Sequence, residues 1–130
     1  MSWCRWSTIL ESGDTSDLYI YESVEGGVSI NIAARRHINI REAPQPIFST
    51  SSSDESEMKL FIESYNKRLE WLENHSEFEN INLPYAGDTL ILDEPEDIHD
   101  FLTELRELGY QFPDQVFEYL KEYKLEKEQL

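Results

Sequence analysis

Residues 17–35 read DLYIYESVEGGVSINIAAR and carry the clearest two-strand pattern in the chain. Apolar and polar residues alternate over 18–24 and again over 28–34, with Gly26 and Gly27 between the two runs. Alternation on either side of a glycine pair is typical of a β-hairpin. The hairpin is therefore predicted to form the centre of a sheet, and the segments after it are expected to pack on that sheet.

The parity of the alternation distinguishes two hairpin registers. A two-residue Gly26-Gly27 loop would turn the aliphatic residues of the two strands to opposite faces of the sheet. A three-residue loop over 25–27, with Gly27 in the left-handed conformation, gathers them on one face. We favour the second register, because a helix layer needs one apolar face. In that register the apolar face holds Leu18, Ile20, Val24, Val28, Ile30 and Ile32, and the other face holds Tyr19, Tyr21, Ser23, Ser29 and Asn31.

The rest of residues 1–42 is also predicted to be mainly strand. The tryptophan-rich N-terminus is expected to lie as a short strand or tight segment on the core. Residues 37–41, HINIR, alternate well enough for a third strand with Ile38 and Ile40 facing inward. Residues 43–53, with their prolines and serines, predict a loop.

Three helices are predicted after this loop, over 54–75, 94–108 and 114–126. Their apolar residues recur at three- and four-residue spacing, as on one face of an amphipathic helix. Ser53 or Asp54 can cap the first helix, Asp93 or Glu94 can cap the second, and Gly109 is expected to end the second. The apolar stripe of the first helix is predicted to face the sheet, and it comprises Met58, Phe61, Ile62, Tyr65, Leu69 and Leu72.

These elements predict one α+β domain over 1–130. It consists of a small antiparallel sheet of about three strands, with the hairpin 17–35 at its centre, packed against two or three C-terminal helices. The 130 residues are 39% apolar and 12% aromatic, which is enough to build a core despite the charge.

Acidic residues dominate the charge of the chain. The formal net charge is −16, and residues 51–130 account for −14 of it, with seven Lys and Arg against twenty-one Asp and Glu. A surface of this kind repels nucleic acid and anionic membranes and attracts basic protein surfaces. We therefore expect a basic protein as partner, and neither nucleic acid nor a membrane.

The sequence offers little for catalysis or metal binding. Three histidines, His37, His75 and His99, and the single Cys4 have neither the i, i+4 spacing of a helical metal pair nor a C-x-x-C unit. Cys4, close to two tryptophans, is expected to be a small buried apolar residue. We predict no catalytic residue, no metal site and no cofactor, and therefore a protein that is not an enzyme.

The expected location is a reducing cytoplasm. One cysteine permits no internal disulfide, the opening residues lack the apolar core of a secretory signal, and no apolar run is long enough to span a membrane. The basic cluster Arg35, Arg36, His37 and Arg41 is predicted to pair with carboxylates of the same molecule or of a second copy, and not with nucleic acid.

Four short motifs resemble a family of small phage and prophage proteins of undefined function. They are MSWCRWS at 1–7, DLYIYE at 17–22 with the following glycine pair, LPYAG at 83–87 and LRELGY at 105–110. The match leaves residues 42–80 uncovered, and the middle helix here is more acidic than in the family. The resemblance implies a phage origin and a host-cell cytoplasm as the setting, without a catalytic mechanism. By analogy, small acidic phage proteins are often inhibitors of host defence, such as anti-CRISPR proteins that imitate the charge of DNA.

The acidic residues of the second helix are the leading candidates for partner binding. Glu96, Asp100, Glu104 and Glu107 follow at spacings of four, four and three, which places them on one exposed stripe about 6 Å apart along the helix axis. That distance approximates the separation of neighbouring phosphates on one nucleic-acid strand. Glu63, Glu70 and Glu73 form a second acidic patch on the first helix.

Two functions follow from these observations. The first is a non-enzymatic phage protein that inhibits a nucleic-acid-binding defence protein, such as a Cas nuclease, by occupying its basic groove. The alternative is a structural or regulatory phage accessory protein, a homo-oligomer joined through the tyrosine-rich sheet face, in which the acidity serves only solubility.

Overall fold

The computed structural model describes residues 2–45 and 55–129, with the backbone alone for 55–57. It confirms the α+β fold: these residues form a four-stranded antiparallel sheet, a two-stranded sheet and three helices. The strands are β1 (Ser2–Cys4), β2 (Leu18–Glu22), β3 (Val28–Ile32), β4 (Arg35–His37), β5 (Phe78–Asn80) and β6 (Thr89–Leu92). The helices are α1 (Glu55–His75), α2 (Pro95–Leu108) and α3 (Gln115–Glu128), and a single 3-10 turn lies at Ile40–Glu42.

The chain divides into two compact units. One, the sheet unit, comprises residues 1–36 and 79–130 and contains the four-stranded sheet, α2 and α3. The other, the α1 unit, comprises residues 37–78 and contains α1 and the 3-10 turn. The boundaries fall within β4 and β5, which form the two-stranded sheet.

The four-stranded sheet has the order β1-β2-β3-β6, with the hairpin strands at its centre. One face is apolar and fully buried, and it carries Leu18, Ile20, Val28, Ile30 and Ile32. These side chains share one core cluster with the buried residues of α2 and α3, among them Leu102, Leu105 and Val116. The main core of the sheet unit therefore lies between this sheet face and the two C-terminal helices.

The hairpin has the predicted faces but not the predicted register. Ile20 lies opposite Ile30 and Glu22 opposite Val28, so five residues, 23–27, connect the strands where three were predicted. Val24, predicted to be in the apolar face, lies in this connection and is fully exposed. A register slip of two residues preserves which side chains share a face, so the parity of the pattern could not detect it.

The predicted third strand at 37–41 is wrong. The strand in this region is β4, which ends at His37 and pairs with β5 and not with the hairpin. The partner of β3 is instead β6, which runs antiparallel to it from Thr89. Of the two isoleucines predicted to face inward, Ile40 is buried in the 3-10 turn, but Ile38 is 53% exposed. Short alternating runs predict an extended backbone without indicating which strand they pair with.

The apolar stripe of α1 does not join the core of the sheet, contrary to prediction. Met58, Ile62, Tyr65 and Leu69 are all exposed, and none belongs to the core cluster of the sheet unit. Among the described side chains of α1, those of residues 58–75, Ser64 and Arg68 are buried. Helical periodicity establishes that a stripe exists, but it does not identify what covers the stripe.

The ends of the helices agree with the sequence to within two residues where they can be compared. Gly109 ends α2 with a φ of 115°, as predicted, and α3 continues two residues beyond the predicted 126. The predicted caps Ser53 and Asp54, and residues 46–53 of the predicted loop, lie outside the described residues. None of the described helices is both long and apolar enough to cross a membrane.

Candidate partner-binding surface

Helix α2 has one buried face and one acidic face. Pro95 occupies its first turn, where a missing N–H costs no hydrogen bond, and Glu96 and Asp97 place negative charge near the positive end of the helix dipole. The buried face consists of Ile98, Phe101, Leu102 and Leu105. Packing of this face against the sheet fixes the rotation of the helix, so the opposite side chains point to solvent.

The four carboxylates predicted as a stripe do lie together on the solvent side of α2. Glu96, Asp100, Glu104 and Glu107 are all exposed, and we call them the acidic row. At a rise of about 1.5 Å per residue, successive members are about 6 Å apart along the axis. The spacing of these residues in the sequence was therefore enough to predict that they share one exposed side of α2.

The carboxylates of the acidic row make few contacts within the protein. Tyr85 donates its hydroxyl to Oε1 of Glu104 at 3.3 Å, and the nearby carboxylate raises the pKa of Tyr85. Nδ1 of His99 lies 3.5 Å from Oδ1 of Asp100. Within the described ranges 2–45 and 55–129, Glu96 and Glu107 take part in no ion pair. Most of the charge of the acidic row is therefore available to another molecule.

Four of the seven basic side chains of the sheet unit pair with groups outside the acidic row. Arg36 contacts the buried Asp17 at 2.6 Å, so this member of the basic cluster pairs within the molecule, one of the two predicted arrangements. Arg106, although it belongs to α2, reaches Asp114 at 2.6 Å and donates to the carbonyl of Phe112. Lys121 lies 3.5 Å from Glu118, and Lys127 lies 3.7 Å from Asp93. None of these four cations pairs with the acidic row.

A groove runs beside the acidic row, between α2 and α3. It encloses about 460 Å³ and is lined by Pro95, Glu96, His99, Asp100, Phe117, Leu120, Lys121 and Lys124. Two members of the acidic row thus form part of its wall, and Phe117 and Leu120 provide apolar surface. The surface therefore combines charge with a recess that side chains of a partner could enter.

The sequence did not predict this groove. Phe117 and Leu120 both fall on the apolar stripe of the third helix, and this pattern predicts that both face the core. Leu120 is buried, but Phe117 is only partly buried, with its ring 5.9 Å from that of His99. An aromatic residue at the edge of an apolar stripe was the available signal, and it does not distinguish core from groove wall.

The second predicted patch belongs to the other compact unit. Glu63, Glu70 and Glu73 are exposed on α1, which lies in the α1 unit, and the acidic row lies in the sheet unit. Lys59 and Lys67 flank Glu63 at four residues on either side, on the same side of the helix. This mixture of charges makes α1 a weaker anionic surface than α2.

Cys4 occupies an inert environment. It is buried, its Sγ donates to the carbonyl of Leu18 at 3.2 Å, and burial raises its pKa to about 11. A thiol with so high a pKa is a poor nucleophile near neutral pH. No group of three or more His, Cys, Asp or Glu side chains in the described parts of the chain is arranged to hold a metal ion.

A scan against protein-family models found no match to this chain, and neither did a search of curated proteins or a search of solved structures.

Proposed function

We propose that this chain is a non-enzymatic, phage-encoded acidic protein that inhibits a host defence protein by occupying its nucleic-acid groove. The target is a basic, nucleic-acid-binding defence protein, such as a Cas nuclease. The chain itself would be an inhibitor of the anti-CRISPR or anti-restriction type. The setting is the cytoplasm of the host cell. The acidic row on α2 carries the proposal, because it presents four exposed carboxylates in line at a spacing close to that of phosphates.

Electrostatics supports this role for the acidic row. The sheet unit holds seven Lys and Arg against nineteen Asp and Glu, a net charge of −12, so long-range attraction draws a cationic groove towards it. Four of the seven Lys and Arg of the sheet unit pair with Asp17, Asp93, Asp114 and Glu118, outside the acidic row. A partner's arginines and lysines would therefore meet carboxylates that give up few internal contacts on binding.

The groove beside the acidic row supports a protein partner. Charge alone attracts many cationic surfaces, whereas specificity needs a shape that only one partner fills. Phe117 and Leu120 give the groove an apolar part that an aliphatic or aromatic side chain of a target could enter. The phage setting itself comes from the sequence motifs, and the inhibitory role follows by analogy with other small acidic phage proteins.

Neutralisation of the acidic row is the direct test. The variant E96Q/D100N/E104Q/E107Q retains side-chain size and removes four charges. We expect it to bind a purified Cas nuclease or restriction enzyme about thirtyfold more weakly, because each exposed ion pair contributes modestly and four are lost. Binding of the unmodified protein should also weaken as salt rises, and the variant should show a flatter dependence on salt. Titration calorimetry across a salt series against a panel of such effectors measures both.

The matched control is E118Q/E122Q/E126Q/E128Q, which removes four exposed charges from α3. Under the proposal this control binds nearly as tightly as the unmodified protein. Equal weakening by both variants would mean that only net charge matters. Unchanged binding in the α2 variant would remove the acidic row from the mechanism.

A second candidate function rests on the outer face of the sheet. Trp6, Tyr19 and Tyr21 form a run of aromatic rings with centroids 5.9 Å and 5.5 Å apart, and Ile91, two strands away from Tyr21 at the same level of the sheet, is 66% exposed. Such a face suits self-association in a structural or regulatory phage accessory protein whose acidity serves solubility. In that case I91E would dissociate the oligomer, and the α2 variant would leave it intact.

A further inference from the structure

Five apolar residues of α1, four of them exposed, follow a heptad pattern. Met58, Ile62, Tyr65, Leu69 and Leu72 are separated by four, three, four and three residues, and we call them the α1 seam. This is the spacing of the a and d positions through which two helices pack in a coiled coil. The first four members are between 42% and 57% exposed, so the seam remains largely uncovered.

A different side of α1 already packs within its own unit. Ser64 and Arg68 are buried, and the guanidinium of Arg68 donates to the carbonyl of Pro44 at 3.3 Å. At about 100° per residue, these two positions lie roughly a quarter turn from the centre of the α1 seam. Attachment of α1 to its own unit therefore leaves the α1 seam available for another helix.

We propose that the α1 seam binds the same seam of a second copy of this chain, with the two helices antiparallel. The charged residues beside the α1 seam favour this arrangement. On the side away from the buried face, the flanking e positions are Lys59, Asn66 and Glu73, and all three are exposed. In an antiparallel pair the e positions of the two helices face one another. Centred on Asn66, this arrangement places Lys59 of each copy opposite Glu73 of the other, which forms two ion pairs.

The alternative orientations and surfaces are less favourable. A parallel pair would set g positions against e positions, but the g residue Arg68 is buried and bonded to Pro44.

Approach of two copies through the sheet unit would bring together surfaces of net charge −12 each. The α1 unit has a net charge of only −4, and helix α1 itself, with three basic and five acidic residues, one of −2. Self-association is therefore least opposed by repulsion at α1.

The length of the seam sets the expected strength. From Met58 to Leu72 it extends about 21 Å, or two heptads, which is short for a coiled coil. We expect a reversible dimer with a Kd on the order of micromolar. Sedimentation velocity of the full chain over a concentration series should show exchange between monomer and dimer. A monomer at every concentration up to about a hundred times that Kd would overturn the proposal.

Variants of α1 test the position of the contact. I62E/L69E should abolish the dimer, because it places charge in the centre of the seam. L60E is the matched control: Leu60 is 50% exposed on the same helix but lies outside the seam. It should leave the dimer Kd within about twofold of the unmodified value. Because the replaced residues are exposed, circular dichroism should show both variants folded. Equal dissociation by L60E, or a dimer that survives I62E/L69E, would contradict the assignment.

A charge exchange tests the antiparallel orientation. K59E and E73K alone should each weaken the dimer roughly tenfold, since each sets like charges opposite one another twice. The double variant K59E/E73K restores both pairs with reversed sign and should recover the original Kd. If the double variant did not recover the original Kd, the antiparallel arrangement would be wrong. These measurements need only this chain, so their outcome is separate from that of the effector-binding test.

Discussion

At the scale of single residues, Asp17 joins distant parts of the sheet unit through one carboxylate. It accepts hydrogen bonds from Nε and Nη2 of Arg36 at 3.0 Å and 2.6 Å, and from the backbone N–H of Gln111 at 2.7 Å. Its side chain is 3% exposed and that of Arg36 is 23% exposed. A charge removed from water to this degree is stable only while its partners are present.

We therefore predict that D17A lowers the free energy of unfolding by about 2–3 kcal/mol. The substitution leaves the Arg36 guanidinium and the Gln111 N–H without their shared acceptor, and the remaining exposure of Arg36 limits the loss. Urea denaturation followed by circular dichroism measures this difference.

Asp114 provides the control for this prediction. It lies at the same 2.6 Å from an arginine, Arg106, but its side chain is 91% exposed. Because water screens an exposed pair, D114A should cost much less than D17A. Similar losses in the two variants would show that burial does not determine the contribution of Asp17.

The sequence predicted that the basic cluster pairs with carboxylates of the same molecule or of a second copy, and Arg36 pairs within the molecule. It did not predict Asp17 as the partner, since nineteen residues separate the two and the chain holds twenty-seven acidic residues. Which carboxylate Arg36 meets depends on the turn that follows β3. This turn brings Arg36 next to Asp17, the residue that precedes β2. Pairing between distant charges depends on topology, which local patterns do not contain.

At the scale of elements, the hairpin connection has two glycines with different surroundings. Gly26 and Gly27 have φ values of 104° and 80°, which side chains adopt only with strain. A Cβ at Gly27 would lie 3.2 Å from Oδ1 of Asp93 and 3.3 Å from the carbonyl of Leu92, whereas a Cβ at Gly26 would meet nothing within 4 Å. The connection is therefore packed against the end of β6 at one glycine only.

We predict that G27A destabilises the protein more than G26A. G26A should cost about 1 kcal/mol through backbone strain alone, and G27A about 2 kcal/mol, because the contacts with β6 are added. Thermal unfolding of the two variants gives the comparison. If the costs were equal, the close approach of Gly27 to β6 would not contribute to stability.

The predicted elements also show which information a sequence pattern contains. Parity determined that Leu18, Ile20 and Ile30 share a face, and this was correct because a slip of two residues does not change it. Periodicity predicted α1 and its stripe, but a periodic pattern does not indicate which surface the stripe packs on, and the sheet was the wrong prediction. The acidic row was located correctly because exposure on α2 follows directly from the burial of the opposite face.

At the scale of the whole molecule, charge is distributed unevenly between the two units. The sheet unit has a net charge of −12 and the α1 unit one of −4, from four basic and eight acidic residues. Like charges at this density repel one another in the folded state more than in the expanded unfolded chain. A surface kept acidic for a partner therefore lowers the stability of the protein that carries it.

This repulsion makes the stability of the protein depend on salt. Screening weakens repulsion between exposed charges, so the melting temperature at neutral pH should rise by about 2 °C or more between low and moderate sodium chloride. The variant E96Q/D100N/E104Q/E107Q removes four of the repelling charges directly. It should melt at a higher temperature than the unmodified protein at low salt, and its melting temperature should increase less with salt. Differential scanning calorimetry of the two proteins across a salt series measures both effects.

The direction of the result separates two roles for the acidic row. If its carboxylates repel one another and have no compensating contacts, neutralising them stabilises the fold, as expected for residues that serve a partner. If the variant is instead less stable at low salt, the acidic row contributes to folding, for example through the helix dipole near Glu96. In that case its exposure would no longer favour an external partner, and the binding test with the α2 variant would have to be repeated on a variant of equal stability.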